Sequence, residues 1–306
     1  MIDLTIIILT YNEEKNIQDC LDSIKSTNAN IFVVDSFSTD ATLNIFKKRK
    51  INYTQHPFEN YAAQRNWAQL NNPFQTEWVL HLDAGERLSS EMVNWLNNDF
   101  QPTTETNGFM FSRRTMIFGK WVKYGGHYPN YHLRLYRTKK GKCENKLYDQ
   151  HFFVNGHTAV LKPGIDIIDT VMSSWQEFTL GHARWAVFEA IEIIEKTKKT
   201  GEVKASLSGS PIEKRRWLKS NLFEKSPLFL RSLLYFMYRY FFRLGFLDGL
   251  TGLTFHFLQG FWFRFLIDAT VLELKTKMEK ENISLPGLIA RDYDPKYLRI
   301  LKTEDS

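Results

Sequence analysis

Residues 78–88, Trp78-Val79-Leu80-His81-Leu82-Asp83-Ala84-Gly85-Glu86-Arg87-Leu88, decide how the chain is read. Trp78 to Leu82 is a short, mostly apolar run with the character of a buried strand, and it stops at Asp83. A small residue, a glycine and a second carboxylate, Glu86, follow, and Ser89 is placed to start a helix. In an open parallel sheet, ligands bind beyond the carboxyl ends of the strands, so an acid there points into a site. Such a carboxylate suits Mg²⁺ or Mn²⁺, which take one or two protein carboxylates and complete their shell with substrate phosphates. An ordinary polar turn after a strand reads the same way, and one strand-terminal Asp does not choose between them.

The residues on the N-terminal side favour the site. Leu4 to Leu9 is a continuous isoleucine-rich run, as expected for a strand buried on both faces, and it ends at Thr10-Tyr11-Asn12. Asn12 is a suitable N-cap, with Glu13 and Glu14 in the first turn of the helix that would follow. Ile17, Cys20, Leu21 and Ile24 form its apolar face. A second run, Ile31 to Val34, ends in Asp35, and Ser38, Thr39 and Asp40 can cap a helix to about Lys50. Strand, helix, strand, helix in close succession implies right-handed crossovers and a parallel sheet. Ile51 to Thr54 reads as an edge strand, and Tyr61 to Ala68 as a helix carrying Arg65. That arginine is either a surface residue covering apolar area or a planar cation facing phosphate. Three strands thus end in polar groups, Thr10, Asp35 and Asp83, at one rim.

Beyond Gly108 the segments become extended, aromatic and basic, which predicts a more irregular, antiparallel half. Asn155-Gly156, between two short apolar runs, predicts a type I′ hairpin. Just before it, Asp149 and His151 would share one face of a strand. Trp185 to Lys199 reads as a helix, and 201–211 as a linker.

The chain has 306 residues, a formal charge of +6, and 43% hydrophobic and 15% aromatic content, so it folds around a sizeable core. Its basic balance (pI ≈ 9.1) suits nucleic acid, anionic membrane or phosphorylated substrates. The two cysteines, Cys20 and Cys143, indicate neither a zinc site nor a disulfide framework. The N-terminus enters a strand at once, leaving no room for a leader, and a reducing cytoplasm is expected. Between Pro211 and Arg243 eight Lys or Arg stand against two acids, among many large apolar residues. The longest uncharged run, Gly249 to Phe263, falls short of the roughly 20 residues that span a bilayer. This region reads as lying at an anionic membrane surface, at the inner face of the plasma membrane, or else as a hairpin with a solvated basic face. No nucleic-acid motif accompanies the charge.

Taken in order, Thr5 to Glu14, Val33 to Thr42, Ala63 to Ala68 and Trp78 to Leu88 resemble the motifs of the family-2 inverting glycosyltransferases. The branch that includes the lipopolysaccharide-core β-glucosyltransferases has the nearest pattern. The match continues through Tyr128-Pro129-Asn130, Arg134 to Arg137, Asp149 to His151, and Gly245 to Gly249. The resemblance implies an α/β GT-A fold: a Rossmann-like nucleotide-binding half (1–107), a mixed-sheet acceptor half (108–200) and a helical, amphipathic C-terminal region (201–306). It implies that Thr10, Tyr11 and Glu13 surround the nucleoside, that Asp35 contacts the base, and that Arg65 lies near base or diphosphate. Asp83 matches the first acid of an Asp-X-Asp metal motif for Mg²⁺ or Mn²⁺. The second acid is replaced by Gly85, with Glu86 as the candidate substitute, and the usual Asp-Asp-Gly after the second strand is Asp35-Ser36-Phe37.

The implied activity is inverting transfer of a sugar from a nucleotide-diphospho-sugar donor to a glycan or lipid-linked acceptor, in lipopolysaccharide or exopolysaccharide synthesis. Asp149 is the expected catalytic base, with His151 as second choice. Two alternatives stay open: a non-catalytic nucleotide-binding scaffold at the membrane, and a nucleotidyltransferase.

Overall fold

A computed structural model describes residues 3–145, 150–170, 174–195, 205–294 and 297. They divide into two units, and the first comprises 3–123, 127–145 and 150–170. Its sequence begins β1 (Leu4–Thr10), α1 (Ile17–Ile24), β2 (Asn30–Asp35), α2 (Thr42–Arg49), β3 (Tyr53–Gln55), α3 (Tyr61–Leu70) and β4 (Trp78–Asp83). β5 (Glu86–Leu88), α4 (Ser90–Asn94), β6 (Thr106–Ile117), β7 (Lys120–Val122) and β8 (Tyr131–Arg137) follow. β9 (Gly141–Cys143), β10 (Phe152–Val154), β11 (His157–Val160) and β12 (Asp166–Thr170) complete it.

The main sheet runs β3-β2-β1-β4-β8-β6-β12-β5, with β7 and β11 also paired to β6. β1 to β4 are mutually parallel, whereas β8 enters antiparallel to both β4 and β6, so the sheet is mixed. β1 is central because it is buried on both faces, which its unbroken Ile6-Ile7-Ile8 run allows. α1 lays Ile17, Cys20, Leu21 and Ile24 against this sheet, the face that its 3–4 spacing predicts. Each such side chain contributes on the order of 1.5–3 kcal/mol by leaving water. α4 begins where expected, with Ser89 accepting from Met92 N.

Two local expectations are corrected. Asn12 does not cap α1, which starts at Ile17. It stands at φ +54°, with its side-chain oxygen accepting from Thr39 N at 2.8 Å. The cap was misplaced because Asn tolerates the left-handed region as readily as it caps. Residues 152–160 do not form a hairpin either: β10 pairs antiparallel with β9, and β11 pairs parallel with β6. Asn107 holds the Asn155 carbonyl, so the Asn-Gly pair carries the chain from one sheet to the other.

The second unit contains 124–126 and the described residues from 174 onward. It is helical: α5 (Trp175–Glu195), α6 (Pro211–Leu218), α7 (Leu230–Met237), α8 (Gly249–Phe255), α9 (Phe263–Glu281) and α10 (Leu285–Asp292). π-helical turns at Lys219–Phe223, Tyr238–Phe242 and His256–Trp262 extend α6, extend α7 and join α8 to α9. α5 starts ten residues before the expected Trp185, and α6 is fixed by a Ser210–Glu213 capping box. Ala190 and Ile191 of α5 pack with Val271 and Leu274 of α9 and Leu285, Leu288 and Ile289 of α10. Among the described residues no helix is long and apolar enough to cross a membrane.

Candidate active site

The parallel strands bring the sequence-predicted polar groups to one edge. Thr10 lies opposite Asp35 across β1 and β2, and Leu9 lies opposite Asp83 across β1 and β4. The loops leaving β1 and β2 are then stitched together. Asn12 N donates to Ser38 Oγ (2.8 Å), Glu13 N to Thr42 Oγ1 (2.9 Å) and Glu14 N to Asp40 Oδ2 (3.1 Å).

Asp35 is fully buried and accepts from Thr10 Oγ1 (3.1 Å), Ser38 N (2.9 Å) and Gln55 Nε2 (3.0 Å). Its carboxylate ties together the ends of β1, β2 and β3, so the accessible part of this rim is aromatic. Tyr11, Phe37 and Tyr61 are all exposed. Phe37 has φ +61°, a region costly for a bulky side chain. It occupies the position where the family pattern has glycine. Glu13 is half-buried and bound by Asn16 Nδ2 (2.8 Å); burial raises its pKa, and nearby Asp40 and Asp83 add to the rise.

The charged centre forms where one face of β4 and β8 meets α3. Asp83 Oδ1 accepts from Arg65 (3.0 Å), and Asp83 Oδ2 from Arg134 (3.2 Å). Burial pushes the Asp83 carboxyl up, but the two guanidinium groups prevail and hold it well below the usual carboxylate range. Its side chain stays 39% exposed, whereas those of Arg65 and Arg134 are 10% and 9% exposed. Among the described residues each arginine keeps one buried nitrogen without a hydrogen-bond partner, Nε of Arg65 and Nη1 of Arg134. Both guanidinium groups also lie over the Phe152 ring, at 5.3 and 5.6 Å from its centroid. Unsatisfied buried donors beside an open carboxylate are what an incoming anion would complete.

Glu86 sits beside Asp83 without sharing its outlook. It is 2% exposed; one oxygen accepts from Asp83 N (2.9 Å) and the other from Arg134 (3.1 Å). Burial raises its pKa to about 7, outweighing Arg134, and Asp83 and Asp169 add to the rise. Among the described residues no three His, Cys, Asp or Glu side chains form a ready-made cation cage. The open protein donor is Asp83 alone, which still fits ions that draw most of their ligands from phosphate and water. The raised pKa gives a stability prediction. Between about pH 4.5 and pH 7 the unfolded chain ionises Glu86 while the folded chain keeps its proton, so stability falls as pH rises through this window. Glu86→Gln should abolish that decline, worth up to ~3 kcal/mol, as read from urea midpoints of both proteins across the window.

α3 is the organiser that the sequence understated. Arg65 reaches Asp83. Gln64 Nε2 donates to Ser36 Oγ and to the His56 carbonyl, Asn66 pairs with the backbone of Cys143, and Gln69 binds the Thr138 and Gly141 carbonyls. Three more residues enter to which no role had been given: Arg134, named only within the Arg134 to Arg137 match, Asp169 and Glu144. A lone Arg inside the apolar run Leu133-Arg134-Leu135 was a usable signal for the first, since arginine is seldom buried unpaired. Asp169 lies opposite Glu86 across β5 and β12 and pairs with Arg113 at 3.1 Å. Glu144 is fully buried; its N–H donates to the His151 carbonyl and its carboxylate accepts from His151 N. It therefore fastens residues 144 and 151 to each other. Asp149 itself lies outside the described residues. His151 Nδ1 is 3.8 Å from Glu144 Oε2.

A parallel nucleotide-type half continued into a mixed sheet, with an acid at the end of the fourth strand, is a GT-A-like α/β fold. The chain belongs to glycosyl transferase family 2, whose pattern matches residues 5–166, more than half its length. It is 28% identical over 148 residues to the lipopolysaccharide core biosynthesis glycosyltransferase LpsC of Rhizobium meliloti, covering 46% of this chain and 53% of LpsC. It is 27% identical over 142 residues to an uncharacterized glycosyltransferase of Rickettsia typhi, covering 46% and 48%. The chain thus spans about half the length of these curated relatives. Among solved structures it is similar to S. aureus TarS 1–349 in complex with UDP-GlcNAc, at 15% identity, 92% coverage of both chains and a TM-score of 0.41.

Proposed function

We propose that the protein transfers a sugar, with inversion, from a nucleotide-diphospho-sugar to a glycan or lipid-linked acceptor of the cell surface. The observation that carries this reading is the pair of buried arginines, each with an unused N–H, converging on ionised Asp83 beyond the parallel strands. Two roles divide the site. Arg65 and Arg134 bind the diphosphate and stabilise the charge that grows on it as the glycosidic bond breaks. Asp149 takes the proton of the acceptor hydroxyl as that oxygen attacks the anomeric carbon from the opposite face. Thr10, Tyr11, Glu13 and the loop that Asp35 organises would seat the nucleoside, with Tyr11 and Phe37 offering exposed rings to the base. Asp83 would hold Mg²⁺ or Mn²⁺ together with the donor's phosphates, and the ion's chemistry there is that of a Lewis acid. A family-2 membership and partial similarity to LpsC support the cell-surface setting. The charge excess of 211–243 supports an anionic membrane surface, on its cytoplasmic side, as partner.

The experiment is donor binding by calorimetry with UDP-, GDP- and TDP-sugars, on the natural chain and on Arg65→Ala. Micromolar binding of one donor, weakened at least about tenfold by the substitution, supports the reading; unchanged affinity removes the arginine from it. Gly85 offers a second test. Among the described residues a Cβ there meets only the Thr170 carbonyl, at 3.6 Å, an ordinary van der Waals contact, so the backbone accepts a Cβ without a clash. Gly85→Asp restores the family's second acid and should tighten Mn²⁺ binding in the presence of UDP on the order of tenfold. Electron paramagnetic titration of free Mn²⁺ reads this directly.

A further inference from the structure

The segment 230–257 of the helical unit is folded with its polarity reversed. Eight of its residues are buried: Arg231, Ser232, Arg239, Gly245, Asp248, Gly252, Phe255 and His256, of which only Phe255 is large and apolar. Fifteen are exposed, and thirteen of those are large aliphatic or aromatic residues; Arg243 is the sole exposed charge. A helix packed for water carries the opposite pattern, apolar inward and charged outward.

The buried charged groups are partnered within the unit, whereas among the described residues the buried His256 ring makes no hydrogen bond, its Nε2 lying 3.7 Å from Asp248 Oδ2. Arg231 pairs with Asp268, whose other oxygen accepts from Phe229 N (2.7 Å) and Ser232 Oγ (3.2 Å). Arg239 donates to the Gly125 carbonyl (3.0 Å) and to Gln259 Oε1, and Asp248 accepts from Tyr124 N (2.9 Å). Small residues sit where elements approach: a Cβ on Gly245 would meet the His256 ring at 2.7 Å, and one on Gly252 the Gly245 carbonyl at 2.8 Å. Charges paired inside, small residues at contacts and apolar side chains outside is the arrangement of helices surrounded by hydrocarbon.

The outer surface is continuous. Ring contacts run Phe246–Tyr240–Phe236–Phe257–Phe261–Phe265 at centroid distances of 5.4 to 6.3 Å, and none of these rings is fully buried. It also has an edge. Along the continuous helix 249–281 no charge occurs before Arg264, whereas Glu273, Lys275, Glu279, Lys280 and Glu281 are exposed near its end. One end of this helix suits hydrocarbon and the other water. Among the described residues no helix is long and apolar enough to cross a membrane, and an apolar end followed by a charged end suits entry into one leaflet.

We propose that this unit is an integral monotopic module, with the outer face of 230–257 seated in the hydrocarbon of one leaflet of a phospholipid bilayer. The basic residues of 211–225 lie at the headgroups. This deepens the membrane-surface part of the proposed function and rests on it, but replaces electrostatic adhesion by insertion. A protein partner or second copy would account for the apolar exterior but not for the charged interior.

The test is extraction of the full chain from membranes, with the double variant Phe242→Asp/Leu250→Asp beside it. Both side chains are highly exposed, 77% and 81%, so the substitutions disturb no packing. Insertion predicts retention through high salt and alkaline carbonate, release only by detergent, and flotation with neutral phosphatidylcholine vesicles as well as with vesicles containing phosphatidylglycerol. The double variant should lose neutral-vesicle partitioning by at least about 100-fold while binding donor as before. Release of the natural chain by high salt alone overturns insertion and leaves surface attachment standing. Recovery without detergent as a discrete oligomer that the double variant dissociates overturns both, because the face is then a protein interface.

Discussion

Asp149→Asn is expected to lower turnover by about 10²–10⁴-fold while donor affinity stays within about twofold. The asymmetry follows from the division of labour at the site. In the proposed division, donor binding would draw on Arg65, Arg134 and the nucleoside rim, none of which needs a base. Proton removal from the acceptor hydroxyl needs a carboxylate within reach, and amide isosteres cannot supply it. Glu144 holds both the carbonyl and the N–H of His151. His151 is the natural rival, since the same buried carboxylate lies 3.8 Å from its ring. Calorimetric donor binding and initial rates on Asp149→Asn and His151→Gln separate the two. Turnover that survives the first substitution and collapses in the second would transfer the role to the histidine.

Asp83→Asn should reduce turnover by at least about 100-fold and destabilise the fold as well. The side chain is ionised because two guanidinium groups flank it, and removing its charge leaves both buried cations short of a counter-charge. Losing one partner of such a cluster typically costs about 3–5 kcal/mol; Glu86 still accepts from Arg134 but, its pKa raised to about 7 by burial, is only a partial counter-charge at neutral pH. The stability Asp83 contributes is present above its unfolded pKa of about 4 and is lost as pH falls toward its depressed folded value. Denaturation midpoints at neutral and acidic pH check this: the gap between the natural chain and Asp83→Asn should narrow on acidification. Initial rates with and without EDTA should show that the variant has lost most of its response to added Mn²⁺.

Much of the nucleotide half was legible because each signal was local. The Ile6-Ile7-Ile8 run, the face Ile17, Cys20, Leu21 and Ile24, and the strand ending at Asp83 each need only a few consecutive residues to be read. Their meeting at one rim follows from the crossover rule and from strand length, and Thr10 does face Asp35. What stayed hidden depends on long-range pairing. Arg134 joins Asp83 only because β8 inserts antiparallel beside β4, a register no local pattern announces. Glu144 matters only through the closure it makes with His151. Asn155-Gly156 misled because turn chemistry says where the chain bends but not which strands it then joins. The reversed polarity of 230–257 was visible in part, as aromatics interleaved with charge. Which of them turn inward depends on Asp268, more than thirty residues away from Arg231.

The central claim is that the rim around Asp83, Arg65 and Arg134 receives a nucleotide-diphospho-sugar and releases the nucleoside diphosphate. The most direct measurement is product identification after incubating the full chain with a panel of UDP-, GDP- and TDP-sugars, Mn²⁺ and a crude acceptor glycolipid fraction. The account predicts one donor consumed, nucleoside diphosphate released in step with sugar appearing on the acceptor, and both abolished in Asp83→Asn. Pyrophosphate as the product, or a panel in which no donor is bound or consumed, would contradict it.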